Sequence, residues 1–225
     1  MKAGENSHVQ RAPALPQSLA GLQTDVERYY TQKVRTHGAT ALGVDWTCQP
    51  TQELRFVQLL KVCDFAHPFS LNDVGCGYGA LLAFLARRHS GAQVDYLGTE
   101  LSQAMVDHAR PSRHPSIRSQ FLVTGDIPRI ADYSVASGIF NVKLKQPAAL
   151  WTLFVQQMLA AMHEASRVGF AVNFLAPLKQ GMQDIPELYR PSPEVWVRYC
   201  THQFNAKVEL ACNYGMCEFT LIVRR

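Results

Sequence analysis

The 225-residue chain predicts an α/β fold: a seven-stranded, mostly parallel sheet flanked by helices, ending in an antiparallel hairpin and preceded by an N-terminal helical lid. Three observations carry this expectation. From residue 69 onward, strand-like runs alternate with helical ones, the order that builds parallel strands with right-handed crossovers. The last two strand-like runs, 206–212 and 216–223, are joined only by Asn213-Tyr214-Gly215, so they can only be antiparallel neighbours. Apolar residues make up 47% and charged residues 18%, enough apolar surface to bury a full core.

Residues 1–20 hold Lys2, Glu5, His8 and Arg11 with two prolines and no apolar run, so they read as a flexible lead-in and not as a secretory signal. Residues 21–66 read as the lid. Its first helix spans 22–34 and is broken by the glycine-bearing stretch 37–43, followed by Val44-Asp45-Trp46. Pro50 opens a second helix, since a first-turn proline removes no needed donor. There Gln52, Arg55 and Phe56 share one face at i, i+3 and i+4. Residues 67–225 form the core of a single domain covering 21–225. Strand 69–74 is followed by a tight turn at 75–79 and helix 80–88, with Arg87, Arg88 and His89 at its negative end. Next come strand 94–99, helix 102–110, strands 118–123 and 133–139, helix 148–165 and strand 167–174. A polar segment, 178–193, precedes helix 194–204 and the hairpin.

The balance of 22 Lys+Arg against 18 Asp+Glu gives only +4, and the basic residues are scattered. Lys143, Lys145 and Lys179, and likewise Arg110, Arg113 and Arg118, read as solvated surface, so a nucleic-acid partner is not expected. Cys48, Cys63, Cys76, Cys200, Cys212 and Cys217 include no CxxC pair. They read as free thiols of a cytoplasmic protein without a metal site. No run is long and apolar enough to span a membrane.

The chemistry concentrates at the ends of the parallel strands. Glycines 75, 77 and 79 follow a strand and open a helix, where they let backbone approach a ligand. Asp73 stands at the end of that strand, where its carboxylate can organise the turn's amides. Glu100 ends the second strand, where a carboxylate can accept both hydroxyls of a ribose. Gly125-Asp126-Ile127 follows the third strand and places a polar acceptor at an adenine edge. An acid beside alternating glycines suits a cationic, phosphate-free ligand better than a pyrophosphate.

Asp73-Val74-Gly75-Cys76-Gly77-Tyr78-Gly79, Tyr96-Leu97-Gly98-Thr99-Glu100-Leu101-Ser102 and Gly125-Asp126 resemble the signature segments of class I S-adenosylmethionine-dependent methyltransferases. The motifs fall within 69–142, and the order of elements extends the resemblance to the C-terminus. It implies S-adenosyl-L-methionine as cofactor. Gly75, Cys76, Gly77 and Gly79 would pack against its methionine part, and Asp73 would hold its amino end. Glu100, with Leu101 beside it, would bind the ribose. Met105 would lie against the adenine or in the core, and Gly125, Asp126 and Ile127 would contact the adenine. Ser137, Gly138 and the residues to Asn141 would floor the pocket near the reactive methyl. Cys76 would be a target for thiol reagents if it is accessible.

His37-Gly38, Gly43-Val44-Asp45-Trp46 and Gln52-x-x-Arg55-Phe56 resemble the segment preceding the glycine turn in a small bacterial-type methyltransferase group. Arg55 would then pair bidentately with the cofactor's carboxylate, with Gln52 beside it. Tyr30 and Trp46 would form an aromatic lid over the sulfonium. Core packing for Trp46 and a surface ion pair for Arg55 are the open alternatives. Methyl transfer would proceed by in-line displacement, with His37, Asn141 and Tyr189 as catalytic candidates. Asp45, His163 and His202 are further titratable groups. The stretch 137–142 lacks the Asp/Asn-Pro-Pro-Tyr/Phe pattern that clamps planar amino groups, which argues against adenine or glutamine-amide acceptors. A small-molecule acceptor with an O-, N- or C-nucleophile is expected. RNA or protein methylation, and a cofactor-binding protein without transferase activity, are the alternatives. Both monomer and homodimer stay open.

Overall fold

The central strands are buried on both faces, as a parallel sheet covered by helices requires. In the computed structural model, which describes residues 17–110, 117–179, 181 and 183–225, they are Phe69–Val74 (β1), Val94–Glu100 (β2), Ala131–Ala136 (β4) and Ser166–Leu175 (β5). Ile117–Val123 (β3), Lys207–Ala211 (β6) and Glu218–Arg224 (β7) complete a seven-stranded sheet in the order β3-β2-β1-β4-β5-β7-β6. Pairings are parallel from β3 through β5, and β7 is antiparallel to both β5 and β6. The expected seven strands and terminal hairpin are all present.

The helices are Gln17–His37 (α1), Gln49–Leu59 (α2), Ala80–Arg88 (α3), Gln103–Ala109 (α4), Ala148–Glu164 (α5) and Pro193–Phe204 (α6). They divide between two apolar layers. Phe56 and Leu59 of α2, Leu82 and Phe84 of α3, and Val106 of α4 pack on one face of the sheet. Leu19 and Leu22 of α1, Trp151 and Leu159 of α5, and Trp196 of α6 pack on the other.

Several boundaries differ from the expectations, each for a local reason. Helix α1 begins at Gln17 and Leu19 is fully buried, so residues 17–20 belong to the fold and not to a flexible lead-in. The break after α1 holds a short 3-10 turn, Ala41–Val44, closed by Asp45 in the left-handed region. Strand β4 stops at Ala136 instead of 139 because Gly138 takes φ 78° and turns the chain, with Asn141 N–H donating to the Gly138 carbonyl at 3.1 Å. The hairpin loop is wider than three residues, since Asn213 and Gly215 both take positive φ. Residues 1–16 and Arg113 lie outside the described residues.

Among the described residues, no helix is long and apolar enough to cross a membrane. All six cysteines are free; Cys76 and Cys200 are buried. Phe174 of β5 holds the second layer together, its ring stacked on Phe140, Phe219 and Trp196 at centroid distances of 5.1, 5.2 and 5.8 Å. Phe174→Ala should therefore lower unfolding free energy by about 3–5 kcal/mol. Equilibrium urea denaturation would show this as a lower midpoint at unchanged slope; a loss below about 1 kcal/mol would refute the role given to the stack.

Candidate functional site

The chain leaves β1 at Val74 and reverses through residues 75–79, where Gly75, Gly77 and Gly79 take φ of 71°, 54° and 83°. Side chains rarely adopt this region, which accounts for the alternating glycines. The N–H groups of Gly75, Cys76, Gly77 and Gly79 are already engaged. Gly75 and Cys76 both donate to the Thr99 carbonyl, at 2.8 and 3.0 Å, and Gly79 donates to Cys76. Gly77 N–H donates to Glu100 Oε2 at 3.0 Å, while Glu100 Oε1 accepts from the Leu101 and Ser102 N–H groups at 2.8 and 3.0 Å. Burial raises the Glu100 carboxyl, and these three backbone donors pull it back only in part. A phosphate would meet spent donors and a carboxylate here, so a pyrophosphate cradle does not fit.

This turn borders a cleft with about 760 Å³ of empty space, counting the part open to solvent. Gly75, Gly77, Glu100, Leu101, Met105 and Gly125 line it, as do Tyr30, Trp46, Ser137 and Gly138. The Ser137 hydroxyl is buried and has no hydrogen-bond partner. Helix α1 forms the roof, contributing Gln23, Val26 and Tyr30. It is held down by Thr31, whose hydroxyl lies 2.6 Å from that of Ser102, and by Asp25, which accepts from Gln146 at 2.9 Å. Ser102 is also the N-cap of α4, accepting from Met105 N–H.

Other expected site residues are used elsewhere. Arg55 does not face the cleft to meet a ligand carboxylate, nor does it form a surface ion pair. Its Nε donates to Glu218 Oε2 at 2.7 Å and its Nη2 to Glu218 Oε1, while Nη1 donates to the Thr51 carbonyl at 2.7 Å. Both side chains of this pair are buried. Gln52 accepts from the Tyr78 hydroxyl at 2.9 Å, off the cleft wall. Asp73 is buried beneath the turn and accepts from the Tyr96 hydroxyl at 2.5 Å. Cys76 is buried against Gly98, so its thiol is not open to reagents, and burial pushes that thiol well up. Gly79 serves packing, close to Ala109 and Phe121. The Asp126 side chain is exposed, and Ile127 packs on the second apolar layer; Thr124 and Gly125 form the wall in their place.

The catalytic candidates are also off the wall. His37 is exposed at the end of α1. Asn141 Oδ1 accepts from Leu175 N–H at 3.2 Å, its carbonyl accepts from Tyr189 N–H at 2.8 Å, and its buried Nδ2 has no partner. The Tyr189 hydroxyl lies 3.3 Å from that of Thr152. Asp45 is paired with Lys33 at 2.6 Å, His163 stacks on Phe204 and His202 is exposed. Sequence reasoning missed Gln23, Val26, Phe154 and Met158 on the cleft wall. Phe154 and Met158 recur at i, i+4 on α5, a spacing that reads only as core, and nothing in a helical pattern says which cleft α1 covers.

A family profile described as a methyltransferase domain matches residues 72–169. A Mycobacterium tuberculosis protein named "Putative methyltransferase Rv1506c" is 38% identical over 166 residues, which is 74% of this chain and 99% of that protein. The chain belongs to the methyltransferase family. Solved structures agree on the fold of this methyltransferase. The magnesium protoporphyrin IX methyltransferase ChlM of Synechocystis PCC 6803, with bound SAH, is 14% identical with a TM-score of 0.63, over 90% of this chain and 99% of that one. Human N-acetylserotonin methyltransferase in complex with SAM is also 14% identical, with a TM-score of 0.57 over 92% of this chain and 66% of that one.

In the folded methyltransferase, burial pushes the Asp73 carboxyl up to about 7, with the Glu100 charge adding to the effect and the Tyr96 hydroxyl opposing it. An unfolded Asp ionises near pH 3.9. Between about pH 4 and pH 7 the unfolded chain therefore loses a proton that the folded chain keeps, and stability falls as pH rises through that window. Asp73→Asn should remove this slope. Its unfolding free energy from urea denaturation should gain on the wild type from pH 4 to 7, by at most about 1.4 kcal/mol per pH unit, with the gap level above. A gap that stays constant across the window would rule out a carboxyl raised by burial.

Proposed function

We propose that this chain is an S-adenosyl-L-methionine-dependent methyltransferase acting on a small-molecule acceptor. The observation that carries the cofactor is Glu100: a carboxylate on the cleft wall, fixed by three backbone donors beside a turn whose first three N–H groups are already taken. Ionised, it retains lone-pair capacity for ribose hydroxyls. Leu101, Met105 and Gly125 supply a wall for the adenine, and the unpartnered Ser137 hydroxyl is a ready contact. Solved relatives in fold are described with SAH or SAM bound, and two of them are named for magnesium protoporphyrin IX and N-acetylserotonin, both small molecules. Residues 21–225 act as one domain in this reading, with the helical segment as roof.

When bound, the cofactor supplies an electrophilic methyl group for in-line displacement by the acceptor. The chain's contribution is placement. Glu100 would hold the ribose, and near-attack alignment is the largest gain available to such a reaction. Tyr30 and Trp46 cover the cleft and exclude water that would blunt the nucleophile. Residues 137–141 and the segment that carries Tyr189 are tied by the Tyr189–Asn141 hydrogen bond, and they form the acceptor side in this reading.

Calorimetry with S-adenosylhomocysteine tests the cofactor. The wild type should bind it and Glu100→Ala should bind at least tenfold more weakly, since a charge-assisted hydrogen bond contributes about 1.5–3 kcal/mol. Equal affinity would overturn the assignment. Incubation with methyl-labelled cofactor and fractionated cell extract tests the acceptor. Label is expected among metabolites; label in RNA or protein would replace that acceptor class, and label in none despite tight binding would sink the transferase reading.

A further inference from the structure

Trp46 stands at the crossing of the lid and the sheet. The edge of its indole occupies the space where a side chain at position 138 would project, so Gly138 is small because Trp46 lies on it. The Arg55 guanidinium lies over the indole at 3.6 Å from the ring centroid. Arg55 is locked in turn by the bidentate pair with Glu218 of β7. Glu218 Oε2 also accepts from Asn173 Nδ2 of β5 at 3.1 Å, and Asn173 Oδ1 accepts from Gly138 N–H at 2.8 Å. The chain of contacts thus closes on itself: Trp46, Arg55, Glu218, Asn173, Gly138 and back to Trp46.

We infer that Arg55, Glu218 and Asn173 are positioning residues that fix the indole of Trp46 against Gly138 on the cleft wall. None of the three lines the cleft, while Trp46 and Gly138 both do. A guanidinium stacked at this distance and desolvated by burial attracts the ring strongly, and its own orientation is set by a planar two-point carboxylate contact. Buried charge is a poor way to gain stability, because apolar residues of similar volume often serve as well. A pair kept here for its geometry fits that balance: the planar guanidinium offers the indole a flat, oriented partner that an aliphatic side chain does not. The link from Trp46 to ligand affinity rests on the cofactor reading above; the link from the network to Trp46 does not.

The test uses the paired replacement Arg55→Met with Glu218→Leu, which strands neither charge, and Asn173→Leu, which touches the ring only through the network. Protein labelled with 5-fluorotryptophan gives three resonances, one for each tryptophan, with Trp46 assigned by Trp46→Phe. In ligand-free protein, both variants should broaden the Trp46 signal and raise its solvent isotope shift, leaving the Trp151 and Trp196 signals in place. An unmoved Trp46 signal in the folded variants would overturn the inference, whether or not S-adenosylhomocysteine binds. For affinity, the paired replacement and Trp46→Ala should each weaken S-adenosylhomocysteine about tenfold, and combining them should weaken it no further. Full additivity would show that the pair acts independently of Trp46 and would also overturn it. If the wild type fails to bind while the Trp46 signal responds as expected, the cofactor reading falls and the positioning stands.

Discussion

The constraint on which the ligand end depends is the change of winding at the middle of the sheet. Strands β1 and β4 are parallel neighbours, yet β1 runs into α3 on one face and β4 runs toward α5 on the other. Connections from neighbouring strands that leave in opposite directions open a crevice at the carboxyl ends of those strands. The glycine turn after β1 and the Ser137–Gly138 turn after β4 are its two lips, and both line the cleft. The Glu100 carboxylate at the end of β2 and the Ser137–Gly138 turn after β4 are thereby anchored to strands that are buried on both faces.

Within that crevice, selectivity follows from which polar groups are already spent. Nucleotide-binding turns in α/β folds commonly leave backbone N–H groups free for phosphate. Here the first three N–H groups of the turn are taken, two by the Thr99 carbonyl and one by Glu100. The remaining polarity of the wall includes a carboxylate and an unpartnered hydroxyl at Ser137. That inventory suits a neutral or cationic ligand with hydroxyls to donate. The roof helix adds mostly uncharged surface, so the electrostatic character of the site is set by the strand ends.

Where local signals sufficed, the sequence was a good guide. The succession of strands and helices, the terminal hairpin and the glycine turn follow from alternation, a short loop and residues that tolerate positive φ. Glu100, Leu101, Met105 and Gly125 reached the cleft wall because a strand end fixes where the next residues go. Arg55 illustrates what was hidden. Its helical face was legible, but its partner Glu218 lies 163 residues away, and no local pattern announces that pairing. Asp73 illustrates a second limit: its place near the end of β1 was legible, but the direction of its carboxylate depends on Tyr96, one strand over. Gln23 and Val26 depended on where a lid helix comes to rest, which is tertiary packing and leaves no periodic trace.

The terminal hairpin has a consequence for the order of assembly. Strand β7 inserts between β5 and β6, and its first residue, Glu218, is the group that fixes Arg55 near the other end of the chain. On a ribosome, the turn after β1 and the roof helix are made early, but the partner that orients Arg55 emerges 163 residues after it. Until then Arg55 has no carboxylate at that point, and the cleft wall at Trp46 lacks its brace. The cleft wall at Trp46 is therefore complete only once β7 has paired with β5 and brought Glu218 to Arg55. A nascent or prematurely ended chain can shape the glycine turn without forming a finished site.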